Sequence, residues 1–411
     1  MNIQPYAVNQ SQIIGTYQPE QILKGKISEV LPDRRAVINI GQKRMVAKVD
    51  TEIKIGNDYL FQVKQNKDPL ILHVIRGSAS FNHEKSNQKM VSDVLSTFHL
   101  PNDQKMRRMI HFFLNQHALS KSFLETVYSL LPKKPTLKDL KTIQFMINRK
   151  IPLEAPFFQA LKPLGSGHLG LETVKDIIAL IDQDSSIAPS MAHFKDIINK
   201  MIHLNNTDSV SIIQQLKLLG LHHEHDLCQN FLSKEKMILN DSLKEGALRL
   251  ISDHDTPSAI KRQANELLQT ITGQQIQLIS ADPALMQLVT QLPWPSHGQI
   301  ETINIYWEGK KQGKGLDADD CRIILSLKLK TLKETLVHIR IQHRSLTIQV
   351  QNDFPFIKEH LKQYESGLKE QLQKLNYQLV SLTAIKHIDS YLKEKVDHHL
   401  PLPDYKMDVK V

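Results

Sequence analysis

Three stretches of the chain carry side chains able to do chemistry. In His222-His223-Glu224-His225-Asp226-Leu227-Cys228, imidazole, carboxylate and thiol are all zinc ligands. On a helix, His222 with His225, or Glu224 with Cys228, would share a face. No H-E-x-x-H accompanies them, and no second ligand pair stands at a characteristic distance. A solvated helix start with a buried Cys228 is expected, with a zinc site in His222–Cys228 as the alternative. Cys321 is flanked by Asp319 and Asp320, whose negative field raises a thiol pKa and works against a nucleophile; it reads as a packed strand residue. Gly165-Ser166-Gly167-His168-Leu169-Gly170 invites a phosphate-loop reading. No strand precedes it and the G-x-x-x-x-G-K-[ST] pattern is absent, so a hinge between helices is expected. There is no nucleophile elbow and no pair of acids at strand ends. The expectation is a protein that is not an enzyme and takes no cofactor and no metal.

The elements that position these residues begin with short alternating runs. Ile22–Ile27, Ala36–Ile40, Arg44–Val49, Tyr59–Val63 and Leu70–Val74 are separated by Pro32-Asp33, Gly41, Gly56-Asn57-Asp58 and Lys67-Asp68-Pro69. Five short strands in so little chain predict a small closed β-barrel over residues 1–77, of oligonucleotide-binding or SH3-like type. These residues hold eleven Lys or Arg against seven acids, +4 of the whole-chain +9. A basic barrel makes nucleic acid an alternative partner, with Lys24, Lys26, Arg44, Lys48, Tyr59 and Phe61 as candidate contacts. Tyr59 and Phe61 share one face of a strand. They either stack on bases or fill the core, and core filling is the expected role.

Period-3.6 apolar stripes then run through residues 88–291 and predict a helical domain. Ile110, Phe113 and Leu114 recur 33 residues later as Ile143, Met146 and Ile147. Two copies are too few for a solenoid, so two similar helical hairpins in a bundle are expected. Past Leu292-Pro293-Trp294-Pro295 the pattern returns to strands at Glu301–Trp307, Cys321–Leu329, Leu336–Gln342, Leu346–Gln351 and Tyr377–Ile385. A helix from about Phe354 to Leu375 carries a stripe of Phe356, Ile357, Leu361, Tyr364, Leu368, Leu372 and Leu375. Residues 292–388 therefore predict an antiparallel sheet with a long helix on one face. Residues 389–411 read as a tail with a final strand at Tyr405–Val411. The fold class is α+β and multi-domain: barrel, all-α bundle, then sheet and helix.

The order Leu325–Leu329, Leu332, Leu336–Ile341, Leu346–Val350, a helix with Leu361, Leu368 and Leu372, then Leu375-Asn376-Tyr377-Gln378-Leu379 resembles the C-terminal domain of flagellar hook-length control proteins. The whole layout is similar to hook-length-control-like proteins of Bacillus-type bacteria. The resemblance implies a domain that binds the cytoplasmic domain of an export-gate protein and switches the class of exported substrate. It nominates Leu346, Ile348, Val350 and Tyr377 as candidate partner contacts. Two positions depart from the family: its Leu-Gly turn is Leu332-Lys333 here, and the Gly before the last strand is Asn376, a residue that tolerates φ > 0. A long extended polar N-terminal half, usual in hook-length controllers, is replaced by barrel and helices.

Two cysteines, Cys228 and Cys321, in 411 residues exclude a disulfide framework. No apolar run is long enough to span a membrane, and Met1–Gln10 lacks the pattern of a signal peptide. A soluble cytoplasmic protein without membrane insertion is expected, with export lacking a cleaved signal left open.

Overall fold

The computed structural model describes residues 17–41, 43–66, 69–78, 83–166, 170–184, 188–203, 209–224, 241–279, 286–296, 299–312 and 315–397. The chain divides into two compact units, Met1–Glu154 and Ala155–Val411.

In the first unit, β1 (Ile22–Leu31), β2 (Arg35–Ile40), β3 (Lys43–Val49), β4 (Asp58–Gln65) and β5 (Leu70–Ser78) close into a barrel in the order β1-β2-β3-β5-β4. All neighbours are antiparallel except β3 and β5. This is the Greek-key order of the oligonucleotide-binding alternative. Period-two alternation sends Leu23, Ile27, Ile38, Ala47, Tyr59, Phe61, Val63 and Leu72 inward as one core. At Gly25 a Cβ would stand 2.5 Å from Cγ2 of Ile38, so β1 passes the interior where no side chain fits.

The helices α1 (His83–Phe98), α2 (Gln104–Phe113), α3 (Lys121–Leu130) and α4 (Leu137–Asn148) belong to the same unit. Their starts are chemically marked: Asp103 accepts from the Met106 N–H at 2.8 Å, Ser120 from Phe123 at 3.2 Å, and Thr136 with Asp139 forms a capping box. Ile22 and Leu119 exchange backbone hydrogen bonds of 2.8 and 2.9 Å. Ile22 and Leu60 are fully buried without belonging to the barrel core. The outside of β1 and β4 is thus covered here.

The second unit begins with α5 (Ala155–Ser166), α6 (Gly170–Gln183), α7 (Pro189–Ile202), α8 (Ser209–Leu219), α9 (Leu243–Ser252) and α10 (Ser258–Ile279). Ile177, Ile181, Phe194, Ile197, Leu250 and Leu267 are among their shared core residues. The second expected hairpin is divided between the units: α4 ends the first and α5 opens the second, where α5 meets α10. At Gly273 a Cβ would stand 2.3 Å from the Ala160 carbonyl oxygen, which records how close α10 comes to α5.

A six-stranded sheet follows, with β6 (Met286–Ser296), β7 (Gln299–Gln312), β8 (Gly315–Leu329), β9 (Lys333–Gln342), β10 (Ser345–Gln351) and β11 (Gln378–Ile385) in the order β11-β10-β9-β8-β7-β6. The α+β architecture read from the sequence is present, with three corrections. Strand β6 runs straight through Leu292-Pro293-Trp294-Pro295, where a boundary was expected. It is an edge strand, so a missing proline N–H breaks no ladder on its outer side. Strand β11 pairs parallel to β10, not antiparallel, because α11 (Ile357–Lys374) carries the chain back to the start of β10 before β11 begins. The expected tail opens as a helix, α12 (Ser390–Asp397). Its Leu392 and Val396, with Ile388, pack on Val289, Tyr306, Ile324 and Leu336. The final strand expected at Tyr405–Val411 lies outside the described residues.

Candidate interaction surfaces

The alternation of β10 points Leu346, Ile348 and Val350 to one side, where they pack with Ile341, Ile357, Leu361, Leu368, Leu372 and Leu379. All three are buried. They form the floor beneath α11, so a partner reaches them only if that helix leaves. Tyr377, half-buried, donates its hydroxyl to the Ala318 carbonyl at 3.1 Å and lies under the Arg344 guanidinium, which bonds Asp319 at 2.8 Å. The four nominated partner contacts are therefore internal ties of the domain. Lys333 and Asn376, in the turns before β9 and before β11, both adopt left-handed φ, 58° and 62°. Fully buried Asn352 braces the first of these turns. Its Nδ2 donates to the Leu332 and Glu334 carbonyls at 2.7 and 2.8 Å, and its Oδ1 accepts from Phe354 N–H at 2.7 Å.

What the domain does expose is the edge of β11. Its residues Gln378–Ile385 hold no charge and no proline, and nothing pairs with their outer side among the described residues. The register to β10 skips at Val380, a bulge, leaving Val380 62% and Ile385 41% exposed. The neighbouring α11 buries its stripe incompletely. Tyr364, expected against the sheet, is 71% exposed and Leu375 60%. Edge strands are normally protected by charge, proline or a cover, and among the described residues only the bulge does so here.

No protein-family profile matches the chain. It is 28% identical over 172 residues to "Uncharacterized protein YlqG" of Bacillus subtilis (strain 168), a match covering 41% of this chain and 30% of that protein. No solved structure matches.

On the barrel the six nominated nucleic-acid contacts separate into two groups. Tyr59 and Phe61 face inward, their rings 5.8 Å apart, with the Tyr59 hydroxyl accepting from the Lys54 N–H at 2.8 Å. They fill the core, so base stacking is excluded in this fold. Lys24 is tied to Asn115 at 3.0 Å and Asn87 at 3.1 Å. Lys26, Arg44 and Lys48 are exposed on the outer face of β1–β3. Arg35, which strand parity places beside them, escaped notice because its neighbour Arg34 and the turn at Pro32-Asp33 mask the alternation.

Of the zinc alternative, His225, Asp226, Leu227 and Cys228 lie outside the described residues. The Glu224 carboxylate is taken by the Lys244 ammonium and by Gln275 at 2.7 Å, and His222 is exposed. The ion pairs of Lys244 with Glu224 and of Arg249 with Glu245, and the 3.0 Å contact of His193 Nε2 with Glu245, brace α7, α9 and the 220–224 turn. No cluster of metal-ligating side chains forms among the described residues. The Gly165–Gly170 glycines do stand at G-x-G-x-x-G spacing, but helix α5 leads into them where a dinucleotide loop needs a strand; residues 167–169 lie outside the described residues. Cys321 sits buried on β8, its thiol pushed up by burial and by Asp317 and Asp320, the opposite of nucleophile activation. Among the described residues no helix is long and apolar enough to cross a membrane.

Proposed function

We propose that this chain is a non-enzymatic, cytoplasmic interaction protein similar to hook-length control proteins, and that its C-terminal domain docks on the cytoplasmic domain of an export-gate-like protein. The strand and helix order from Leu325 to Leu379, including left-handed Lys333 and Asn376, supports the resemblance. The observation that carries the docking mode is the uncharged outer edge of β11 beside the half-covered α11. An extended segment added to β11 would satisfy its free backbone groups, and Val380, Ile385, Tyr364 and Leu375 would receive its side chains. This replaces Leu346, Ile348, Val350 and Tyr377 as the contact residues.

The test is calorimetric titration of the full chain with the purified cytoplasmic domain of an export-gate homologue from the same cell. Binding is expected, with Val380→Lys/Ile385→Lys weakening it at least about tenfold, as charges placed in an apolar contact do. Circular dichroism should show the variant folded. Absence of binding by the natural chain, or equal binding by the folded variant, overturns the proposal.

A further inference from the structure

The outer face of β1–β3 gathers cations in rows. Register places Lys26, Asn39 and Arg44 in one row across the three strands, and Arg35 directly opposite Lys48 in another. Arg34 closes the β1–β2 turn beside them with φ 57°. All five cations are exposed. Three carboxylates stand near them: Glu29 at 3.3 Å from Arg44, Asp33 at 3.5 Å from Arg35, and Asp58, opposite Lys26 on β4 but paired with Lys24 at 3.8 Å. Among the described residues Lys26, Arg34 and Lys48 form no ion pair. Like charges directly opposite on adjacent strands destabilise a sheet, so the Arg35 and Lys48 pairing is unexplained by folding. Between the two rows lies Val46, 44% exposed, and no aromatic ring occupies the face.

We infer that this face binds the phosphate backbone of a single-stranded nucleic acid. Its excess of cations over carboxylates complements a polyanion. Its width, two strand spacings or roughly 10 Å, suits one backbone rather than a duplex. Val46 offers an apolar rest for sugar or base. Because Tyr59 and Phe61 are consumed by the core, the face has no stacking platform, and binding is independent of sequence. This inference does not rest on the export-gate proposal and survives its failure.

The experiment is fluorescence anisotropy of a fluorescein-labelled thymidine 12-mer titrated with the full chain between 50 and 200 mM salt. With five neutralised phosphates and a single-strand coefficient of about 0.7, log affinity should fall with log salt at a slope near −3.5, roughly a 100-fold loss over that range. Arg35→Glu/Lys48→Glu is expected to weaken binding more than tenfold and to flatten the slope. Lys26→Gln/Arg44→Gln, which leaves the β-strands less perturbed, should flatten it by about 1.4. Lys133→Glu/Lys134→Glu, in the loop between α3 and α4, should change neither. No binding at 50 mM salt, a slope shallower than about −1, or barrel variants that bind as tightly as the natural chain overturns the inference. Tighter binding of a 12-base-pair duplex than of the single strand also overturns it.

Discussion

His117 shows how one side chain couples burial to solution conditions. Its Nε2 is buried with no hydrogen-bond partner among the described residues, and its ring lies 6.0 Å from that of Phe113. Burial pushes its pKa down, so the unfolded chain, titrating near ~6.5, takes up a proton before the folded one does. The stability tied to this histidine is complete above that value and is lost as pH falls through it. His338 shifts the same way, chiefly by burial and then through Arg322 and Arg340. The urea midpoint should therefore be lower at about pH 5.5 than at about pH 7.5, and His117→Gln should shrink that difference. An unchanged difference would show that His117 takes up its proton equally in the folded and the unfolded chain. At this scale the sequence named charged residues well and their surroundings badly. Lys26, Arg44 and Lys48 are exposed on the outer face of β1–β3. Leu346, Ile348 and Val350 were legible as strand residues, but alternation alone does not say which face a helix covers.

Elements were more legible than residues, because periodicity is a local property. The five barrel strands and the strand-helix-strand run from β10 to β11 stand close to their expected limits. The misreadings came from long-range pairing. Pro293 and Pro295 look like breakers until β6 is known to be an edge, and parallel β10–β11 pairing is decided by the return path of α11. Helix packing follows the same rule, and two glycines separate its terms. Gly273→Ala places a Cβ against the Ala160 carbonyl and is expected to destabilise by on the order of 1–3 kcal/mol. Gly367→Ala on α11 meets nothing within 4 Å and should stabilise by about 0.5–1 kcal/mol from helix propensity alone. Chemical denaturation of both variants checks the pair. Equal effects would mean that α5 and α10 are not in close contact.

At the scale of the whole chain, the division at Glu154 and Ala155 differs from the sequence boundaries near residues 77 and 292. Ile22, Leu60 and the Ile22–Leu119 hydrogen bonds tie the barrel to the helices that follow it. Residues 1–154 expressed alone should unfold in one cooperative thermal transition, whereas residues 1–78, with Ile22 and Leu60 uncovered, should be markedly less stable. Circular dichroism melts of the two polypeptides decide this. A barrel of residues 1–78 as stable as the longer polypeptide would restore the boundary near residue 77. By itself the sequence determined the class of each segment, the concentration of positive charge in the barrel and the order of strands and helices around Leu325–Leu379, because composition and period are written residue by residue. Only the tertiary structure decided that Tyr59 and Phe61 are core, that the nominated β10 contacts lie under α11, and that β11 stands at the edge of the sheet formed by the described residues. Those outcomes depend on which surfaces meet across hundreds of residues, and burial is a property of the partner surface as much as of the side chain.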